Sequence, residues 1–221
     1  MNDSSNQPSR RRPLRSRETR WARVIAGRLA QRGVSPNAIS VAGVLAALAA
    51  GAALAATSHV DGIPFRVYWA GAALLIQGRL LCNLFDGMVA IQRGVASPLG
   101  ELFNEVPDRI ADAAVLIGLG YAAGGIPEFG YTAALVAVFV AYVRAAVTAA
   151  GAPNDFCGPL AKPQRMALAT ALCLYMAVAP ADWRWPWGEV NVVLIIMIGG
   201  GLVTAARRLR RAACHLRNRA A

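Results

Sequence analysis

Hydrophobic residues form six long runs along the chain, and each run is close to the length that crosses a bilayer. A transmembrane helix needs about 20 predominantly apolar residues. Short segments rich in glycine, proline and charge separate the runs, among them Asp61-Gly62-Ile63-Pro64 and Gly124-Gly125-Ile126-Pro127. The pattern predicts six membrane-spanning helices, at residues 37–57, 67–90, 99–122, 129–150, 164–181 and 188–206.

A short amphipathic stretch precedes the first of these runs. Within residues 17–35, Trp21, Ile25 and Leu29 recur on one helical face while arginines fill the other. This pattern is typical of a helix that lies on a membrane surface, so it predicts a juxtamembrane amphipathic helix. Residues 1–16 are rich in arginine and proline, which predicts a disordered basic tail.

These elements together predict an all-α integral membrane protein with about six transmembrane helices preceded by the juxtamembrane amphipathic helix. The transmembrane domain would occupy residues 36–206, and residues 207–221 would form a basic cytoplasmic tail. Composition agrees, since 56% of the 221 residues are hydrophobic and only 16% are charged. Soluble domains carry roughly 25% charged residues, so a soluble class is disfavoured.

The charges are few but strongly biased, with a net charge of +11. Arginines cluster at both ends of the chain, and Arg93, Lys162 and Arg165 lie in or beside the loops expected on the same side. By the positive-inside rule, both termini face the cytoplasm of a bacterial-type inner (plasma) membrane. The arginines would anchor the protein to anionic membrane lipids. A nucleic-acid partner is not expected, because no soluble domain presents them.

The second and third runs carry carboxylates and amides that a purely structural membrane helix avoids. A charged residue at the centre of a span costs roughly 2.5–3.5 kcal/mol even on insertion scales, so it marks a functional site by default. The polar residues recur at intervals of three or four, which places each set on one helical face. They are Asn83 and Asp86 in the second run, and Glu101, Asn104, Glu105, Asp108 and Asp112 in the third.

Two helices joined by a short loop are antiparallel neighbours, so these polar faces are expected to oppose each other near the cytoplasmic surface. Oxygen ligands without thiolates or imidazoles suit a hard cation, here Mg²⁺ or Mn²⁺. Gly87 and Gly100 would remove side chains beside the metal and let a substrate approach. Close helix packing through small residues is the alternative explanation of both glycines.

The spacing of these residues resembles the CDP-alcohol phosphatidyltransferase family, whose motif is D-x2-D-G-x2-A-R-x8-G-x3-D-x3-D. Every interval matches, but asparagine replaces two of the four aspartates and isoleucine replaces the arginine. The sequence reads Asn83-x2-Asp86-Gly87-x2-Ala90-Ile91-x8-Gly100-x3-Asn104-x3-Asp108. The resemblance extends over roughly residues 20 to 205.

The resemblance implies a catalytic membrane domain that transfers a phosphatidyl group from a CDP-linked lipid such as CDP-diacylglycerol to an alcohol. CMP would be released, in phospholipid biosynthesis, and a homodimer is expected. The implied roles are a metal site at Asn83, Asp86, Asn104 and Asp108, with Asp108 as the catalytic base. Substrate-binding roles fall to Gly87, Ala90, Gly100, Arg144, Lys162 and Arg165, and auxiliary roles to Arg79, Glu105 and Asp112.

Other interpretations of the same residues stay open at this point. The replaced aspartates also suit a non-catalytic relative that binds a CDP-linked lipid or acts as a scaffold. A small transporter could use the carboxylates, although no internal duplication supports one. Lys162 and Arg165 could be ordinary cytoplasmic anchors, and Arg79 and Arg144 could form structural ion pairs with core carboxylates.

Overall fold

A computed structural model describes residues 19–95, 98–183, 185 and 188–220. The tail predicted at residues 1–16 and the side chain of Glu101 lie outside this part of the chain. The described residues are helical and contain no strand. The helices are α1 (Arg20–Gln31), α2 (Pro36–Ala56), α3 (Gly62–Gln92), α4 (Pro98–Tyr121), α5 (Pro127–Ala149), α6 (Lys162–Val178) and α7 (Glu189–Ala220).

Local sequence signals explain where α2 begins and how it joins α1. Gly33 has a φ of +76°, which ends α1 in the left-handed region that glycine adopts without strain. Ser35 then caps α2, since its hydroxyl oxygen accepts a hydrogen bond from the Ala38 N–H at 3.1 Å. Pro36 follows at the first helical position, where a missing N–H costs nothing. The guanidinium of Arg93 donates to the carbonyls of Gly33 and Val34 and ties this turn to the end of α3.

The long helices pack as a bundle around one apolar core. Helix α2 lies against both α3 and α4, α4 packs on α5, α5 on α7, and α3 on α6. The core is formed by fully buried apolar side chains from most of these helices, including Leu54, Trp69, Ile76, Leu116, Met166 and Leu194. The bundle therefore holds α3 and α4, which carry the polar residues, on either side of α2.

Glycine lets α2 and α4 approach each other closely. A Cβ atom placed on Gly118 would lie 2.5 Å from the Cα of Gly51, and one placed on Gly51 would lie 2.5 Å from the carbonyl oxygen of Ala114. No real side chain fits at such distances. This contact fixes the separation of the two helices below the polar cluster.

The prediction of an all-helical membrane protein is confirmed in its general form. Four helices are long and apolar enough to cross a bilayer, in the segments Pro36–His59, Gly62–Gln92, Pro127–Ala149 and Glu189–Arg219. Helix α4 carries charged residues in its first half, and α6 has only 17 residues. Helix α7 continues well past residue 206, so the segment predicted as a basic tail is helical as far as Ala220.

Helix α1 packs on α3 through small side chains. Ala22 and Ala26 are fully buried, and the ring of Trp21 meets that of Phe85 edge to face at 6.1 Å. Trp21 and Val24 are nevertheless about half exposed. The helix thus presents Ala22, Ala26 and part of Leu29 to the bundle, while Val24 and Ile25 lie on its outer surface.

Substitution of Gly118 tests the close approach of α2 and α4. We expect Gly118→Ala to lower the free energy of unfolding by about 1–3 kcal/mol, because the new methyl group must push α2 away. Gly78→Ala is the matched control, since a Cβ there meets nothing within 4 Å. Thermal unfolding of the detergent-solubilised protein measures both. Equal melting temperatures for the two variants would contradict the packing.

Candidate active site

Polar side chains from three helices line one small cavity near the ends of α3 and α4 that are joined by their connecting loop. Among them are Asn83 and Asp86 of α3, Asn104 and Asp108 of α4, and Ser40 of α2. Arg79, Cys82 and Pro107 complete much of the remaining wall. The structure thus brings together the four residues expected to hold a metal.

Asp86 is buried and is held by two hydrogen bonds from its surroundings. The hydroxyl of Ser40 donates to Asp86 Oδ2 at 2.8 Å, and the N–H of Gly87 donates to Oδ1. Ser40 also donates to the carbonyl of Pro36 at 3.2 Å. Both bonds to the carboxylate favour a fixed orientation toward the cavity. The contact of Ser40 with Asp86 was not predicted, because Ser40 is uncharged and lies on a different helix from the motif.

Asp108 lies opposite Asp86 and contacts cationic and amide groups. Arg79 Nη2 is 3.0 Å from Asp108 Oδ1, and the amide nitrogen of Asn83 donates to the same oxygen. The ammonium group of Lys162, at the start of α6, donates to Oδ2. Arg109 Nη2 is more distant, at 3.7 Å from Oδ2. Asp108 is therefore surrounded by positive charge from α3, α4 and α6.

Asp112 lies one turn further along α4 and joins two buried arginines. Arg79 Nη2 is 2.7 Å from Asp112 Oδ1, and Arg165 Nη2 is 3.2 Å from Oδ2. All three side chains are at most 3% exposed. Arg165 also donates to the carbonyl of Leu160 at 3.1 Å. This network connects α3, α4 and α6 behind the cavity. Arg165 is thereby engaged in positioning the helices and is buried away from a substrate.

Glu105 and Arg144 form a second, more exposed pair beside the cavity. The guanidinium of Arg144 donates to Glu105 Oε1 and stands 5.4 Å above the ring of Phe156. Glu105 also pairs with Arg109 at 3.3 Å. Neither Glu105 nor Asp112 lines the cavity, and neither do Ala90 or Gly100. The expected auxiliary carboxylates are thus engaged by arginines.

Helix α7 holds the loop that precedes Lys162. Arg208, which is only 5% exposed, donates to the carbonyls of Cys157 and Val140 at 3.0 and 3.1 Å. The hydroxyl of Thr204 accepts a hydrogen bond from the N–H of Leu160 at 3.2 Å. Arg208 lies in the segment 207–221 predicted as a basic tail, for which no site role was expected. Its burial depends on the continuation of α7, which composition alone did not indicate.

The donor atoms at the cavity fit one hard divalent ion. Asp86 and Asp108 bring carboxylate oxygens and Asn83 and Asn104 bring amide oxygens, the ligand chemistry of Mg²⁺ and Mn²⁺. Within the described residues no three His, Cys, Asp or Glu side chains cluster as a metal site. The negative charge in the cavity is therefore limited to two carboxylates. Isoleucine occupies the position of the motif arginine, and its side chain is exposed. The nearby Arg93 does not replace that arginine, since it binds loop carbonyls.

The chain is similar to known proteins in sequence and in fold. A family model described as CDP-alcohol phosphatidyltransferase matches residues 33–205. A phosphatidylinositol phosphate synthase of Mycobacteroides abscessus is 27% identical over 208 residues, which cover 89% of this chain and 86% of that protein.

Solved structures share the fold. The phosphatidylinositol phosphate synthase of Mycobacterium tuberculosis with CDP-DAG bound has a TM-score of 0.71 and 20% identity, covering 88% of this chain and 94% of that one. The same enzyme in complex with manganese and citrate has a TM-score of 0.70 at 20% identity, covering 86% and 88%. At this identity the likeness concerns the fold alone.

Removal of Asp112 tests the buried network. We expect Asp112→Ala to destabilise the protein by about 3–5 kcal/mol, because it leaves two buried guanidiniums without their shared partner. The melting temperature in detergent should fall by roughly 10 °C. Glu105→Ala is the control, since its side chain is 48% exposed and an exposed ion pair is worth about 0–1 kcal/mol. Similar melting temperatures for the two variants would show that the network is not structural.

Proposed function

The chain belongs to the CDP-alcohol phosphatidyltransferase family, and from that premise we propose that it transfers the phosphatidyl group of CDP-diacylglycerol to an inositol phosphate, releasing CMP. The general reaction follows from the family model, which covers most of the chain. The choice of acceptor is supported by the name of the mycobacterial relative, whose product is phosphatidylinositol phosphate. Phospholipid biosynthesis is the corresponding cellular role.

One observation carries the proposal. Asp86 and Asp108 come from different helices and line the same cavity, at the spacing of the family motif. Asn83 and Asn104 stand at the two remaining motif positions in the same wall. A scaffold without chemistry would have no need to gather these groups at the cost of burying them. The geometry therefore favours an enzyme over a non-catalytic relative.

The carboxylates of Asp86 and Asp108, with the amide oxygens of Asn83 and Asn104, would hold Mg²⁺ or Mn²⁺. When bound, the ion supplies positive charge against the diphosphate of the CDP-linked lipid. Ser40 and the N–H of Gly87 keep Asp86 turned toward the cavity. The chain itself thus fixes the geometry of the site.

Asp108 is the proposed base. Its carboxylate takes the proton from the acceptor hydroxyl while that oxygen forms a bond to the phosphorus of the phosphatidyl group. The bond from phosphorus to the CMP oxygen breaks, and CMP leaves with its electron pair. Lys162 donates to Asp108 and holds the carboxylate beside α6. Asp112 is excluded from this step because it is buried and does not line the cavity, whereas Asp108 does.

The acceptor phosphate would bind to cations beside the cavity. The side chains of Lys162 and Arg144 are about one-fifth exposed, and an acceptor phosphate would share them with their present partners Asp108 and Glu105. Arg165 acts behind them, since it is buried and pairs with Asp112. An acceptor that bears a phosphate suits these charges better than a neutral alcohol. Gly87, Ala90 and Gly100 would give the nucleotide room at the ends of the two helices.

The proposed setting is a bacterial-type inner membrane, crossed by the six helices α2 to α7 of a catalytic domain at residues 36–206. Helix α1 would lie at the membrane surface, with Trp21 and Val24 in the headgroup layer. Both termini and the site would face the cytoplasm, as the arginine distribution favours. We further propose a homodimer, as the family resemblance implies.

The reaction is tested by CMP release from CDP-diacylglycerol with inositol phosphate and Mg²⁺. We expect Asp108→Asn and Asp86→Asn to lose about 100-fold or more of the rate, because base and metal ligand contribute on that scale. Chelation by EDTA should stop the reaction, and added Mg²⁺ or Mn²⁺ should restore it. Asp61→Asn, an exposed carboxylate at the far end of α3, should keep full activity. No CMP from any phosphorylated or free alcohol would refute the proposal.

The acceptor site is tested by the kinetics of Arg144→Gln. We expect a rise in KM for inositol phosphate of roughly 10-fold or more, since a charge-assisted bond to phosphate is lost. The KM for CDP-diacylglycerol should change little. Arg66→Gln, an exposed arginine at the opposite end of α3, is the control. Equal use of inositol and inositol phosphate by the unaltered protein would contradict this assignment.

A further inference from the structure

The charge around Asp108 differs from that around Asp86. Asp108 contacts the guanidinium of Arg79 at 3.0 Å and the ammonium of Lys162. Among the residues that the structure describes, Asp86 accepts hydrogen bonds from neutral groups, namely the hydroxyl of Ser40 and the N–H of Gly87. The chain therefore neutralises one of the two cavity carboxylates with its own side chains.

Asn83 is a second reason why Asp108 needs no metal ion to balance its charge. Its amide nitrogen donates to Asp108 Oδ1. A carboxylate at this position would face Asp108 with like charge, and a metal ion between them would have to offset the repulsion. The amide instead forms a hydrogen bond directly. Residues 83 and 108 are thus joined without an ion.

One nitrogen of the Arg79 guanidinium is buried without a hydrogen-bond partner among the described residues. Its Nη2 contacts both Asp108 and Asp112, whereas its Nη1 is buried with no hydrogen-bond partner among the residues that the structure describes. The side chain is 2% exposed and lines the cavity. A buried guanidinium N–H without an acceptor is costly, so a ligand oxygen in the cavity would satisfy it.

We infer that Arg79 is a permanent cation of this site, so that the site binds a single divalent ion beside Asp86 while the Nη1 of Arg79 binds a phosphate oxygen of the CDP-linked lipid. Phosphoryl-transfer sites often use two metal ions about 3.5–4 Å apart. Two such ions would bring four positive charges beside two carboxylates, one of which already contacts Arg79 and Lys162.

The number of bound ions is measured without any reaction. Full-length protein in detergent is titrated with Mn²⁺, and free Mn²⁺ is followed by electron paramagnetic resonance. We expect one Mn²⁺ per chain. Two ions of similar affinity would overturn the inference, as would no binding by a preparation that still releases CMP.

A pair of double variants tests the part played by Arg79. Arg79→Met with Asn83→Asp removes the fixed cation and restores a carboxylate, so it should bind a second Mn²⁺. Arg66→Met with Asn83→Asp is the matched control, since Arg66 is exposed at the opposite end of α3, and it should still bind one. A second ion in both variants, or in neither, would refute the role of Arg79.

Arg79→Lys guards against misfolding, because it keeps a charge next to Asp108 and Asp112. We expect one Mn²⁺ per chain, as in the unaltered protein, and affinity for CDP-diacylglycerol weakened roughly 10-fold or more, since one ammonium cannot replace both guanidinium contacts. Unchanged lipid affinity would overturn the phosphate contact. The second half of the inference rests on the proposed function, which CMP release by the same preparation tests separately.

Discussion

The site depends on the burial of Asp112 between Arg79 and Arg165. The three side chains belong to α4, α3 and α6, so their ion pairs fix the mutual position of the helices that carry the cavity. Burying charge in a bundle is costly, and the cost is recovered only when every partner is present. The same contacts aim Arg79 at Asp108. A structural network and the cavity therefore share one side chain, and neither is free to change without the other.

Helix α2, which packs closely on α4, forms part of the cavity wall through Ser40, Gly43 and Val44. Gly51 and Gly118 let the backbones of α2 and α4 meet. Ser40 of α2 reaches Asp86 across a different contact, that of α2 with α3, where a Cβ on Gly43 would lie 3.0 Å from the Cβ of Cys82. The polar face of α3 is held on one side by the Ser40 hydroxyl of α2 and on the other by the Asp108 and Asp112 carboxylates of α4, which accept from Asn83 and Arg79.

The helical fold and the four motif residues of the cavity could be predicted from sequence, because both depend on the spacing of residues along single helices. Intervals of three and four put Asn83 with Asp86 and Asn104 with Asp108, and a short loop joins the ends of their helices, so that Asn83 and Asp108 meet although α2 lies between α3 and α4. Other groups come from distant parts of the chain, and periodicity carries no information about them. Ser40 and Arg208 are examples, since each acquires its role from a contact with another helix or loop. The fates of Glu105 and Asp112 likewise depended on which arginines reach them.

Helix α7 has 32 residues and is about 48 Å long, whereas the hydrocarbon layer of a bilayer is about 30 Å thick. Its central turns contact the segment before Lys162 through Arg208 and Thr204. A helix that is rigid over this length tilts when the thickness of the surrounding lipid changes. A tilt of α7 would therefore move the segment that bears Lys162. In this way the thickness of the surrounding lipid layer would affect the position of Lys162 beside Asp108.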